Sequence, residues 1–244
     1  MNDAPNPVLK IKMNVAKFDM TNYLSVLPMF SDLSKPEREN IANECTLQRL
    51  NRGDMIFRAG DACEEFHIIV TGQAKLYAAS PSGQEKIIEL IGPGQSFAEA
   101  MMFVEKPHML NAQTLTDTVL ISMSKHVVFG EIARDPRFSM HMLTGISRRL
   151  HGLLQDVESY ALHSGMRRLI SYLLRDINDR ATSHTGELKV CLPVSKAAIA
   201  SRLSLTPEYF SRVLHELEAE QLIEIDKREI RIFDVNRLVS YGLH

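Results

Sequence analysis

The chain has 244 residues, 45% of them hydrophobic, and 28 Lys+Arg against 30 Asp+Glu give it a formal net charge of −2. That length holds one large domain or two ordinary ones around a real core, and the composition excludes disordered and fibrous classes. No run of about 18 apolar residues and no apolar stretch behind the N-terminal charges is present, so neither a membrane span nor a signal peptide is expected and the expected location is cytoplasmic. Three scattered cysteines, Cys45, Cys63 and Cys191, offer no disulfide framework and fit a reducing compartment. Residues 165–244 carry 12 Lys/Arg and 11 Asp/Glu, so charge alone makes no case for a nucleic-acid partner.

In chain order, residues 1–20 mix Pro, Asn and Lys without periodicity and read as a loosely held arm. A short helical region follows, with Leu24, Leu27, Phe30, Leu33, Ile41 and Leu47 as its apolar positions; Pro28 interrupts it and Ser34-Lys35-Pro36-Glu37 restarts it. From about residue 48 to residue 124 the chain turns to short runs of Ile, Val, Phe and Thr bounded by glycines. EEFHIIVTGQAKLYAASPSGQEKIIELI reads as strand, turn, strand, turn, strand, with Gly72 and Ser82-Gly83 at the turns. Many short strands at near-regular spacing predict a small antiparallel barrel or jelly roll over 21–135, flanked by helices.

Residues 136–163 read as one long helix on which Leu143, Ile146, Leu150, Leu153, Val157 and Tyr160 recur in steps of three and four. So narrow a seam suits pairing with a second copy of the chain; an amphipathic helix lying on its own domain is the alternative, since fewer than three full heptads are visible. Ser164-Gly165 breaks the pattern before RRLISYLLRDI, and the C-terminal domain, 165–244, starts there.

Within that domain, residues 195–233 divide into two short helices and a hairpin. Ser195 is a good N-cap for the first helix, with Lys196 beside it; Thr206 and Pro207 are the N-cap and first residue of the second. On the second helix Phe210, Val213, Leu214 and Leu217 share one face, and Glu208, Ser211, Arg212 and His215 share the other. Forked or short polar groups near a helix N-terminus are what major-groove reading requires: Arg to guanine O6 and N7, Glu to cytosine N4, Ser to thymine or phosphate. The competing reading is a solvated face with an i, i+4 pair between Glu208 and Arg212. The preceding helix and the following hairpin, where Ile223, Ile225, Ile230 and Ile232 alternate with polar residues around Asp226-Lys227-Arg228, favour a winged helix-turn-helix.

These segments together resemble the CRP/FNR superfamily of transcription regulators over nearly all of the chain after residue 20. GQEKIIELIGPGQSFAEAMMF and PEYFSR are especially similar to the DNR-type regulators of nitrate respiration. The resemblance implies an α+β fold: a cyclic-nucleotide-binding-like β-roll, a dimerisation helix over 136–163 and a C-terminal winged helix-turn-helix. It also implies a homodimer on double-stranded DNA, activation through RNA polymerase, and an E-x-x-S-R motif, here Glu208, Ser211 and Arg212, that reads TTGAT half-sites. Ser195, Lys196, Thr206 and His215 complete the expected DNA-contacting set. The family usually has Gly where Ser204 and Gln221 stand, which puts two tight turns in question.

For the effector, Glu99 matches the family's ribose-binding Glu, but Met109-Leu110 stands where the phosphate-binding Arg-Ser would fall, which argues against a cyclic nucleotide. Glu99, Met101, Met109 and Leu110 are the expected pocket residues. The cysteine spacing excludes an iron–sulfur cluster, and Cys63 with His67 supplies only half of a zinc site. Resemblance to the DNR type implies haem that reports nitric oxide, and with it control of anaerobic and denitrification genes; the candidate axial ligands are His67, His141 and His151. Two other readings compete: a cyclic-nucleotide-responsive regulator, and a sensory β-roll with no DNA target. An enzyme built on Glu85, Glu89 or Glu99 lacks any accompanying nucleophile or phosphate loop.

Overall fold

Capping chemistry sets the first helices in the computed structural model, which describes residues 18–178 and 188–242. Asp19 accepts from the Asn22 N–H at 2.9 Å and starts α1 (Met20–Ser25). A 3-10 turn (Pro28–Phe30) follows, and at Ser34 the Glu37 carboxylate takes the cap N–H at 2.6 Å to start α2 (Lys35–Glu44). Two expectations need correction. The arm expected over 1–20 overlaps α1, and Phe18 already packs on Tyr23 with ring centroids 5.4 Å apart; residues 1–17 lie outside the described residues. Leu47 is not helical, because it lies on β1 (Cys45–Leu50), where cross-strand pairing along the whole segment overrides the local apolar spacing.

The strands β2 (Met55–Phe57), β3 (Glu65–Thr71), β4 (Ala74–Ala79), β5 (Glu85–Ile91), β6 (Ser96–Phe97), β7 (Asn111–Thr114) and β8 (Thr118–Ser124) complete two four-stranded antiparallel sheets. Their orders, β1-β8-β3-β6 and β2-β7-β4-β5, make a jelly roll. β3 is a near-continuous apolar run because both of its faces are covered: Ile69 enters the core between the sheets, and Phe66, Ile68 and Val70 enter a second core under the helices. β3 and β4 are consecutive but belong to different sheets. Gly72 makes that crossing at φ +89, where a Cβ would stand 2.8 Å from the Thr118 Cα.

After α3 (Glu99–Phe103) and α4 (Lys125–Arg134), Asp135 caps the long helix α5 (Pro136–Leu162) by accepting from the Arg137 N–H at 2.9 Å. Its inward side carries Phe138 and Met142, both buried, followed by Arg149, Asp156 and Tyr160, which bond to the rest of the chain. The residues of the expected seam differ in exposure within one copy of the chain. Ile146 and Leu153 are half-buried and Tyr160 is engaged internally, whereas Leu143, Leu150 and Val157, joined by Leu154, are each more than half exposed. A stripe in steps of three and four is wide enough on a straight helix to serve both sides.

The C-terminal domain comprises α6 (Gly165–Asn178), β9 (Leu188–Cys191), α7 (Lys196–Arg202), α8 (Pro207–Ala219), β10 (Ile223–Asp226), β11 (Glu229–Ile232) and α9 (Val235–Tyr241). β9, which the sequence reading did not anticipate, pairs with β11 to give a sheet of order β10-β11-β9. Leu169, Leu173, Ile199, Phe210, Leu217, Ile230 and Ile232 fill its core, and Tyr77 and Ile87 of the roll join that cluster. The fold is α+β: jelly roll, long helix, winged helix-turn-helix.

Candidate nucleic-acid interface

Each helix of the reading motif starts on a side-chain cap. The Ser195 hydroxyl accepts from the Ala198 N–H at 3.3 Å, and the Thr206 hydroxyl accepts from the Tyr209 N–H at 3.2 Å. Between them the chain reverses at Ser204, φ 55, where the Leu205 N–H donates to the Ala200 carbonyl at 2.9 Å. Gln221 repeats this after α8, again at φ 55, with the Leu222 N–H on the Leu217 carbonyl at 3.0 Å. Both are Schellman-type ends, and both keep the left-handed residue although neither is glycine. The turn geometry that the two departures put in question is therefore formed.

Phe210, Val213, Leu214 and Leu217 are buried, which fixes the rotation of α8 about its axis. Glu208, Ser211, Arg212 and His215 are consequently exposed on the opposite face. Among the described residues the side chains of Glu208 and Ser211 have no hydrogen bond or ion pair, and no Glu208–Arg212 pair forms. Arg212 instead lies over the Tyr209 ring, its Cζ 4.8 Å from the centroid, and His215 Nδ1 lies 3.6 Å from Glu218. Lys196 is half-buried at the start of α7. Lys227 and Arg228, exposed at the tip of the β10–β11 hairpin, add two cations.

The motif is joined to the rest of the chain through the end of α7. Lys86 of β5 donates to the Ser201 and Arg202 carbonyls, and the Ile87 N–H donates to the Ser201 hydroxyl at 3.0 Å. Burial, and then the nearby Arg202 charge, push the Lys86 amine down to about 8. The Arg202 guanidinium, itself buried, pairs with Asp156 and donates to the Tyr160 hydroxyl at 2.6 Å, and Tyr160 in turn donates to the Arg202 carbonyl.

In the roll, Glu99 at the start of α3 is 3% exposed and faces α5. Arg149 reaches it at 3.0 Å through Nη1, reaches Glu89 at 3.1 Å through Nε, and donates to the Ser96 carbonyl; the Ser96 hydroxyl adds a bond to Glu99 at 3.1 Å. The other expected pocket residues do not gather round Glu99, which is a correction. Met101 packs in the helix-side core, Leu110 packs in the core between the sheets, and Met109 is 73% exposed. A five-residue helix followed by a strand edge turns neighbouring residues to different layers.

A model of the cyclic nucleotide-binding domain matches residues 47–135, and one of the Crp-like helix-turn-helix domain matches residues 167–241. The chain belongs to the CRP/FNR superfamily of transcription regulators. It is 25% identical over 187 residues to a CRP-like cAMP-activated global transcriptional regulator of Mycobacterium tuberculosis, covering 77% of this chain and 84% of that one. Among solved structures, FixK2 of Bradyrhizobium japonicum superposes with TM-score 0.70 at 22% identity, over 80% of this chain and 96% of that one. DNR of Pseudomonas aeruginosa is 31% identical, over 90% of this chain and 96% of that one, with TM-score 0.48. This CRP/FNR regulator is a transcription factor and not an enzyme.

Within this CRP/FNR chain the three candidate haem ligands are separated. His67 has suitable chemistry: burial, helped by nearby His108, holds its ring neutral with a pKa lowered to about 4, and Nδ1 meets the Ser122 hydroxyl at 2.8 Å. The space beside it is filled, with Phe97 5.2 Å and Phe57 5.9 Å away between centroids and His108 stacked on Phe57 at 3.6 Å. His141 Nε2 pairs with Asp32 at 3.0 Å, and His151 Nε2 meets Gln155 at 3.1 Å on an exposed helix face. In this arrangement the residues do not fit an axial haem ligand. Sequence reasoning missed Arg149, Lys86, Asp156 and Arg202, whose partners lie 42 to 116 residues away along the chain. It also missed Tyr209, which the i, i+3 spacing to Arg212 could have flagged.

Proposed function

We propose that the chain binds FNR-like TTGAT-N4-ATCAA operators as a homodimer and activates transcription there through contact with RNA polymerase. The observation that carries this reading is the exposed face of α8, where Glu208, Ser211 and Arg212 stand together without carboxylate or hydroxyl partners among the described residues. Arg212 can fork onto guanine O6 and N7, Glu208 can accept from cytosine N4, and Ser211 favours the FNR-like half-site over a TGTGA type. Ser195 and Thr206 act from their caps, leaving Lys196, Lys227 and Arg228 as candidate phosphate contacts that hold register.

A palindromic operator needs a two-fold protein, and the outward row Leu143, Leu150, Leu154 and Val157 supplies a surface for it. Replacing Leu150 with Glu should lower the sedimentation mass; an unchanged mass contradicts this interface. The reading itself is tested by fluorescence anisotropy at moderate salt. The operator duplex should bind about 10³-fold or more tighter than a scrambled duplex, and equal affinity would refute it. Because no guanidinium stands at Met109-Leu110 to hold a cyclic phosphate, and Arg149 already holds Glu99 Oε1, cAMP should leave operator affinity unchanged. The likeness to DNR-type regulators supports, as part of the same reading, a response to nitric oxide and control of denitrification genes.

A further inference from the structure

We infer that Tyr209 is a positioning residue that ties the joint between α5 and the DNA-binding domain to the base-reading arginine. The inference rests on the operator reading above and extends it from the residues that touch bases to one that does not. Three contacts meet at this side chain. Its N–H is held by the Thr206 cap at 3.2 Å, which fixes the first turn of α8. Its ring lies against Gly165, the first residue of α6, so closely that a Cβ there would stand 2.5 Å from Tyr209 Cε1, 3.0 Å from Cζ and 2.8 Å from Leu205 Cδ2. The same ring carries the Arg212 guanidinium, with Cζ 4.8 Å from the centroid.

Among the described residues nothing else on that face restrains Arg212: no carboxylate pairs with it, and Glu208 is unpaired one turn away. A long flexible cation loses rotamer freedom when it reads a base, and a ring that already holds the guanidinium lowers that loss. Gly165 sits just after the point where α5 ends and the domain begins. The glycine is required for space, its backbone not being in the left-handed region. Any shift of α6 relative to α8 therefore moves the ring, and with the ring the arginine. The geometry gives the sensor side of the molecule a mechanical route to base readout that bypasses the base-contacting residues.

The test uses the full-length protein and two duplexes, the operator and a version with the half-site guanine pair changed to an A·T pair. The quantity read is the affinity ratio between them. Arg212→Ala should collapse the ratio towards one; if it does not, the operator reading itself fails. Provided it does, Tyr209→Leu should lower the ratio about two- to fivefold, the size of a partly exposed cation–π contact, with affinity for a scrambled duplex unchanged. Tyr209→Phe should retain the wild-type ratio, because the ring face remains. Gly165→Ala should lower the ratio too, although it touches neither Arg212 nor DNA. The Tyr209→Leu and Gly165→Ala variants are independent, which keeps the claim testable if one of them folds poorly. Wild-type ratios in both would overturn the inference.

Discussion

Where α5 meets the roll, Arg149, Glu99, Glu89 and Ser96 are bonded to one another, with Glu99 Oε2 left over, and Gln48, Ser122 and His67 form a second chain with bonds of 3.2 and 2.8 Å. On α8, Glu208 and Ser211 have no such partners among the described residues, and Arg212 rests on a ring. Both regions are rich in polar side chains, and dielectric environment separates them. A buried carboxylate or imidazole without a partner is expensive, so the roll answers most of these polar groups internally, Glu99 Oε2 being the exception among them. Water satisfies the helix face at little cost, which leaves its groups free for exchange with base edges. The roll's polar groups are mostly held by the chain itself, and those of the α8 face are open to solvent.

The comparison can be broken most forcefully at Arg149. Arg149→Met leaves Glu99 buried opposite Glu89 without a cation, and should cost about 3–5 kcal/mol in urea unfolding; Arg212→Ala should stay within about 0.5 kcal/mol in the same assay. Similar midpoints for the two variants would erase the distinction between regions.

A pH titration sharpens it next. The folded His67 pKa of about 4 lies below the ordinary 6.5, so between those values the unfolded chain binds more protons and stability falls as pH drops. The loss should reach about 3 kcal/mol by pH 4, and His67→Gln should flatten that part of the curve. An unaltered pH profile in the variant would place the acid sensitivity elsewhere.

The smallest expected effect lies at the turns. Ser204→Gly and Gln221→Gly should each stabilise by about 1 kcal/mol, because glycine carries no Cβ penalty at φ 55. A rise in melting temperature with unchanged operator affinity is the expected result; a fall would mean that the side chains contribute contacts outweighing the strain.

Local signals were legible in the sequence because local physics sets them. The Thr206-Pro207 start of α8, its apolar face, the alternating isoleucines of the hairpin and the Ser34–Glu37 cap can all be read within a few residues of one another. What was illegible depends on distance along the chain. Nothing near Arg149 announces Glu99, 50 residues earlier, and nothing near Lys86 announces the Ser201 carbonyl, 115 residues later. The seam on α5 shows an intermediate case: its periodicity was plain, but which edge faces outward depended on Met142, Arg149 and Tyr160 finding partners within the chain. Met101, Met109 and Leu110 failed as a pocket for the same reason, since adjacency in sequence does not fix the layer a side chain enters.

In the proposed function, the open face of α8 reads bases through Arg212 and its neighbours. A base-by-base affinity profile across the TTGAT half-site, measured for the wild-type protein and for Arg212→Ala at one salt concentration, tests it most directly. The predicted result is a loss of about 1–3 kcal/mol confined to discrimination at the guanine, with the other positions unchanged. A uniform loss across all positions, or across scrambled DNA as well, would assign Arg212 to the phosphate backbone and contradict the account.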